Sequence, residues 1–78
     1  MKSVKIMLAS IGDVKSFVNE VTKCDAEVDL VSGRYIVDAK SIMGIFSLDL
    51  TKPITLNIHS DNCDALLAAI APFVVKEA

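Results

Sequence analysis

The apolar residues of this chain switch repeatedly between two spacings, and that switching restricts its fold more than any other feature. Near the N-terminus every second residue is apolar, which is typical of a strand with one buried face. These positions are Val4, Ile6 and Leu8. The spacing then changes to three and four residues, which is typical of an amphipathic helix. These positions are Val14, Phe17, Val18 and Val21, and Asp13 or Ser10 is expected to cap this helix.

The same two spacings recur along the rest of the chain. Two alternating runs, residues 26–30 and 35–39, flank Ser32-Gly33 and predict a β-hairpin. Residues 41–46 predict a short helix, and residues 54–58 alternate again after the turn at Pro53. A final helix with apolar positions between residues 66 and 74 is expected, capped by one of residues 60–62, and Pro72 should kink this helix or end it near Ala71.

The predicted order of elements is therefore β-α-β-β-α-β-α. Strands and helices that each have one apolar face can bury those faces against one another when a sheet packs against a layer of helices. We expect an α+β fold of this kind, an open-faced two-layer sandwich with a four-stranded antiparallel sheet covered by helices on one face. With 78 residues, of which 53% are hydrophobic, the chain is expected to form one domain spanning residues 1–78.

The charge balance excludes some classes of partner. Eight basic and ten acidic side chains give a net charge of −2, so direct binding to nucleic acid is not expected. No apolar run approaches the roughly 20 residues that span a bilayer, and the N-terminus does not resemble a signal peptide. We expect no membrane contact and a cytoplasmic protein.

The chain shows no pattern of catalytic or metal-binding residues. Cys24 and Cys63 lie far apart without metal-ligand or redox spacing, and we interpret them as small apolar residues. His59 lies on the outward phase of the fourth strand, next to Ser60 and Asp61. Consecutive strand residues face opposite sides and cannot form a catalytic triad. We therefore expect no enzyme activity, no cofactor and no metal.

One string of residues resembles a known family. Lys40-Ser41-Ile42-Met43-Gly44 resembles the regulatory-serine segment of the bacterial HPr proteins of the sugar phosphotransferase system (PTS), and residues 25–48 resemble that family's central section. The resemblance implies the HPr-like fold. It also implies that Ser41 is a regulatory phosphorylation site for a serine kinase, involved in catabolite repression. The implied contact surface for a LacI-type transcriptional regulator comprises Ile42, Met43, Ile45 and Phe46. Without the resemblance, the position of Ser41 directly before a predicted helix is explained by a helix cap alone.

The family's phosphocarrier segment is not recognisable in this chain. HPr proteins carry a phosphoryl-accepting histidine, followed by arginine and proline, at the start of the first helix. The corresponding stretch here reads Ser10-Ile11-Gly12-Asp13, which we interpret as a degenerate phosphocarrier position. It resembles the Crh-like proteins, which keep the serine and lack the histidine, but the Ala-Arg-Pro that those proteins usually retain is also absent.

Three functions follow from these observations. The first is a regulatory binding protein that signals through Ser41 and the segment Ile42–Phe46. The second is an interaction or structural module, with Ser41 only a cap and a homodimer formed by strand exchange. The third is a divergent phosphocarrier, which the loss of the histidine argues against because serine cannot form a phosphoramidate.

Overall fold

A computed structural model describes residues 2–61 and 63–75 and contains the predicted order of elements. The four strands are β1 (Lys2–Ile6), β2 (Glu27–Ser32), β3 (Tyr35–Asp38) and β4 (Ile54–His59). The helices are α1 (Ile11–Thr22), α2 (Ile42–Phe46) and α3 (Asp64–Ala69), followed by a 3-10 helix over Ala71–Phe73. The predicted α+β fold is confirmed.

The four strands form one antiparallel sheet in the order β1-β4-β2-β3. β4 pairs with β1 on one side and with β2 on the other, so that Leu56 lies opposite both Val4 and Leu30. β2 and β3 form the predicted hairpin, with Ser32 opposite Tyr35. Gly33 begins the two-residue turn at a φ of 60°, a conformation that suits glycine because it has no Cβ.

One face of the sheet is buried under the helices. The core combines buried residues of β1, β2 and β4 with the apolar stripe of α1, which was predicted from its spacing, and Val37 of β3 packs against this core. The fully buried side chains of that stripe are Val14, Phe17 and Val21. On the opposite face, Lys5, Thr55, Val31 and Ile36 follow one another across the paired strands. No helix within the described residues covers this face, so the architecture is open-faced as expected.

The start of α3 differs from the prediction. Ser60 and Asp61 were expected as caps, but the helix begins at Asp64 and its N-cap is Cys63, whose side chain makes no capping hydrogen bond. A cap must directly precede the helix because its side chain reaches the second or third helical amide. Residues 60 and 61 lie too early for that contact, and the third predicted cap, at position 62, lies outside the described residues.

The chain after α3 returns to the sheet. Pro72 lies in the 3-10 helix, and α3 has already ended at Ala69, close to the predicted end. The Met7 N–H then donates to the Phe73 carbonyl at 2.8 Å, and the Val75 N–H donates to the Lys5 carbonyl at 2.8 Å. Residues 73–75 therefore cover the outer edge of β1.

Candidate functional site

Ser41 caps α2 and is exposed to solvent. Its backbone is extended, and its Oγ accepts a hydrogen bond from the Gly44 N–H at 3.2 Å. Gly44 also permits close packing, because a Cβ there would lie 3.3 Å from the Cβ of Val37 on β3. The helix cap predicted at Ser41 is confirmed, and its hydroxyl lies on the surface.

Only some residues of the predicted contact surface on α2 are exposed. Met43 is 77% exposed and Phe46 is 41% exposed, while Ile42 is half-buried. Ile45 is 0% exposed and belongs to the core, so it cannot contact a partner directly. The physical reason is geometric: a five-residue helix makes little more than one turn, and Ile45 lies on the side that packs against the sheet. We therefore remove Ile45 from the contact surface.

The segment at the start of α1 forms a reciprocal helix cap. Ser10 is the N-cap, and its Oγ accepts from the Asp13 N–H at 3.1 Å. The Asp13 carboxylate accepts in turn from the Ala9 N–H at 3.1 Å. The cap predicted at Ser10 or Asp13 is thus formed by both side chains. The chain's own carboxylate lies at the positive end of the helix dipole, where an anion would otherwise be favoured.

The start of α1 and the end of α2 share one surface. Ile11 is 64% exposed, and with Ser10 and Phe46 it lines a shallow depression of about 320 Å³. Leu50 and Thr51 also line this depression. Ile11 and Phe46 belong to separate predicted segments of the chain. Their proximity depends on how α1 packs against α2, which no local pattern encodes. We call Ile11, Met43 and Phe46 the apolar patch.

A fixed negative charge lies near this depression. The hydroxyl and the backbone N–H of Thr51 both donate to the Asp49 carboxylate. These hydrogen bonds, the hydroxyl bond first, lower the pKa of Asp49 below its usual value because they stabilise the ionised form. Lys52 contributes a smaller lowering.

His59 lies away from the start of α1. Lys2 is paired with Ile58 and Ile6 with Ile54, so His59 lies near the opposite end of β1 from Ser10. Its Nε2 is 2.6 Å from Oδ2 of Asp29 on β2, and the His59 side chain is exposed as predicted. His59 therefore does not replace a histidine at the start of α1.

Within residues 2–61 and 63–75, no three His, Cys, Asp or Glu side chains are grouped to hold a metal ion. Over the same part of the chain, the helices are too short to cross a bilayer.

Known proteins match both the sequence and the fold. Residues 14–75 match the PTS-HPr family, described as "PTS HPr component phosphorylation site". The match starts after Ser10–Asp13, the segment that departs from the family pattern. No curated protein sequence matches the chain.

Three solved structures share the fold. HPr-C-His from Thermoanaerobacter tengcongensis is 25% identical, with a TM-score of 0.77 over 92% of this chain and 89% of that one. The phosphocarrier protein HPr from Bacillus anthracis is 29% identical, with a TM-score of 0.65 over 95% and 94%. The catabolite repression protein Crh from Bacillus subtilis, a domain-swapped dimer, is 25% identical, with a TM-score of 0.64 over 91% and 88%.

Proposed function

This chain belongs to the PTS-HPr family, and from that premise we propose that it is a regulatory binding protein that signals through phosphorylation of Ser41. The observation that carries the proposal is the exposed hydroxyl of Ser41 at the start of a helix whose Met43 and Phe46 are also exposed. The protein has no catalytic role of its own and acts in the cytoplasm through protein partners.

The start of α1 argues against a phosphocarrier. It presents Ser10 and the Asp13 carboxylate where the family carries its histidine. A carboxylate there repels a phosphoryl group. The Ser10 hydroxyl also already accepts the Asp13 N–H, one of the first-turn amides that would otherwise bind an anion. The only histidine of the chain, His59, lies near the other end of β1.

Phosphorylation of Ser41 would change the surface more than the fold. A phosphate adds a charge of about −1.5 to −2 and three acceptor oxygens beside the first turn of α2, where backbone N–H groups lack intrahelical partners. Ser41 is exposed, so the phosphate would displace no buried side chain. The modified surface would combine a new negative charge with the neighbouring apolar side chains.

The apolar patch is the proposed contact surface for a protein partner. Met43 is a flexible, polarisable side chain that adapts to different partner surfaces, and Phe46 offers a larger aromatic area. Ile11 extends this surface toward the start of α1. A LacI-type transcriptional regulator is the class of partner that the family resemblance favours, and the serine kinase is a second one.

The test is phosphorylation by an HPr-directed serine kinase. We expect incubation with ATP to add the mass of one phosphate to the intact protein, at Ser41. The Ser41→Ala variant should remain unmodified. Ser10→Ala is the matched control, because Ser10 is also an exposed N-cap serine, and it should still be modified. A wild-type protein that takes up no phosphate would contradict the proposal.

A second candidate is a structural or dimeric module in which Ser41 is only a cap. The hydrogen bond from Gly44 to Ser41 explains the serine without a kinase, and the related Crh is a domain-swapped dimer. Sedimentation of the unmodified protein distinguishes the two candidates. A stable dimer whose partner binding is unchanged in Ser41→Ala favours the module.

An acid-labile phosphate, acquired from phosphoenolpyruvate and the first enzyme of the phosphotransferase system, would instead support a divergent phosphocarrier.

A further inference from the structure

The two cysteines, which lie far apart in sequence, line the same depression between α1 and α3. This depression has a volume of about 230 Å³, and Lys23, Leu66 and Ala69 also line it. Both cysteines are free thiols. Their spacing in the sequence indicated neither a metal site nor redox chemistry, so their proximity is a property of the fold.

The topology explains why the two cysteines meet. β4 runs antiparallel to β1 and ends at His59, near the end of the sheet where β1 begins. α1 starts beyond the other end of β1 and packs back along the sheet. Its last turn and the start of α3 therefore lie at the same end of the molecule. Cys24 lies two residues after the end of α1, and Cys63 directly precedes α3.

The two thiols differ in exposure but lie on well-held backbone. Cys63 is 5% exposed and belongs to the core, whereas Cys24 is half-buried and packs against that core. The Cys24 N–H donates to the Val21 carbonyl at 3.0 Å, and the Cys63 carbonyl accepts from the Leu67 N–H at 2.9 Å. An oxidant from solvent therefore reaches Cys24 more readily than Cys63.

We propose that Cys24 and Cys63 form a reversible intramolecular disulfide when the protein meets a hydroperoxide. In the first step the Cys24 sulfur attacks hydrogen peroxide. An S–O bond forms, the O–O bond breaks, and the products are a sulfenic acid and one water. In the second step the Cys63 sulfur attacks the Cys24 sulfur. The S–S bond forms, the S–O bond breaks, and the thiol proton leaves with the hydroxyl as a second water. The two thiols thus supply the two electrons that reduce one peroxide.

The disulfide would connect the end of α1 to the start of α3. The closed loop would contain β2, β3, α2 and β4, and such a crosslink restricts the unfolded chain. We expect the oxidised protein to unfold at a higher temperature than the reduced protein. The Cys24 carbonyl also accepts a hydrogen bond from Nζ of Lys40 at 2.8 Å. Lys40 directly precedes Ser41, so this hydrogen bond connects one end of the crosslink to the start of α2.

The experiment uses the full chain, reduced and then treated with one equivalent of hydrogen peroxide. Intact mass should show the loss of two hydrogen atoms, and a non-reducing peptide map should join the peptides that contain Cys24 and Cys63. A thiol reductant should restore the original mass. Cys24→Ser and Cys63→Ser are the matched controls, and neither should lose two hydrogens as a monomer.

Two results would overturn the proposal. One is wild-type protein that gains only oxygen atoms, and the other is protein that crosslinks only between chains. The order of reaction is tested separately by brief alkylation of the reduced wild-type protein, which should label Cys24 before Cys63. Faster labelling of Cys63 would contradict the assigned order. Because neither Ser41 nor a kinase enters these measurements, their outcome is independent of the proposed regulatory function.

Discussion

Ser10 and Asp13 close the start of α1 by exchanging hydrogen bonds with its backbone, each at 3.1 Å. The Ser10 hydroxyl accepts from the amide of Asp13, and the Asp13 carboxylate accepts from the amide of Ala9. The pair therefore provides both hydrogen bonds and a negative charge, which stabilise the N-terminus of the helix. This helix start is stabilised without a bound anion.

The first prediction concerns this cap. Ser10→Ala should lower the free energy of unfolding by about 1 kcal/mol, because it leaves the Asp13 amide without its side-chain acceptor. Asp13→Asn should cost less, about 0.3–1 kcal/mol, because it removes the charge and keeps an acceptor oxygen. Urea denaturation measures both. Ser16→Ala, an exposed substitution within α1, is the control and should cost nothing. Equal losses for Ser10→Ala and Ser16→Ala would refute the capping role.

The second prediction separates the cap from the regulatory role of Ser41. Ser41→Ala should lower the free energy of unfolding by about 1 kcal/mol, whereas Ser41→Asp should remain close to the wild type because aspartate is also a good N-cap. Neither variant can be phosphorylated at position 41, so their stabilities report the cap separately from the modification. Urea denaturation is again the measurement, and an Ala variant as stable as the wild type would show that the Gly44 contact contributes little.

The third prediction distinguishes the two sides of α2. Ile45→Ala should lower the free energy of unfolding by about 2–5 kcal/mol, because it leaves a cavity in the core. Met43→Ala should change it by less than about 0.5 kcal/mol, because its side chain is mostly exposed. In a pull-down with phosphorylated protein, Met43→Ala should weaken partner capture while the fold is retained. Undiminished capture by both Met43→Ala and Phe46→Ala would remove the apolar patch from the proposed interface.

The fourth prediction concerns pH. Because Thr51 lowers the pKa of Asp49, the fold favours the ionised carboxylate. The resulting stabilisation is present above the unfolded-state pKa and is lost as the pH falls through the lower folded-state value. Thr51→Val removes the hydroxyl donor, so the pKa of Asp49 should rise toward 3.8, its ordinary value. Carbon-detected NMR titration of the Asp49 carboxyl group, in the wild type and in the variant, measures this. An unchanged midpoint for Asp49 would contradict the assigned cause.

The sequence predicted the elements that depend on local spacing. The alternating runs became strands, and the three-and-four spacing of residues 14–21 became the buried face of α1. The caps at Ser10 and Ser41 were also predicted, since capping is a short-range hydrogen bond between a side chain and the first helical turn. In each case the interacting groups lie within a few residues.

The features that were missed depend on packing between distant segments. The spacing of Ile42, Ile45 and Phe46 indicated one apolar face, but it could not show that Ile45 is buried while Phe46 lies at the margin of that face. Ile11 and Phe46 line one depression, and Cys24 and Cys63 line another. Each depression forms where elements that are distant in sequence pack together. The start of α3 was misplaced because its N-cap is a cysteine, which gives no capping signal.

The pairing of residues 73–75 with β1 gives the two margins of the sheet unequal roles in self-association. Because the Lys5 carbonyl and the Met7 N–H already form hydrogen bonds with residues 73–75, the β1 margin offers fewer open backbone groups to a second chain. The other margin is β3, only four residues long. A truncation before Phe73 would expose the longer strand, and the shortened protein should form larger particles in light scattering at concentrations where the full chain does not.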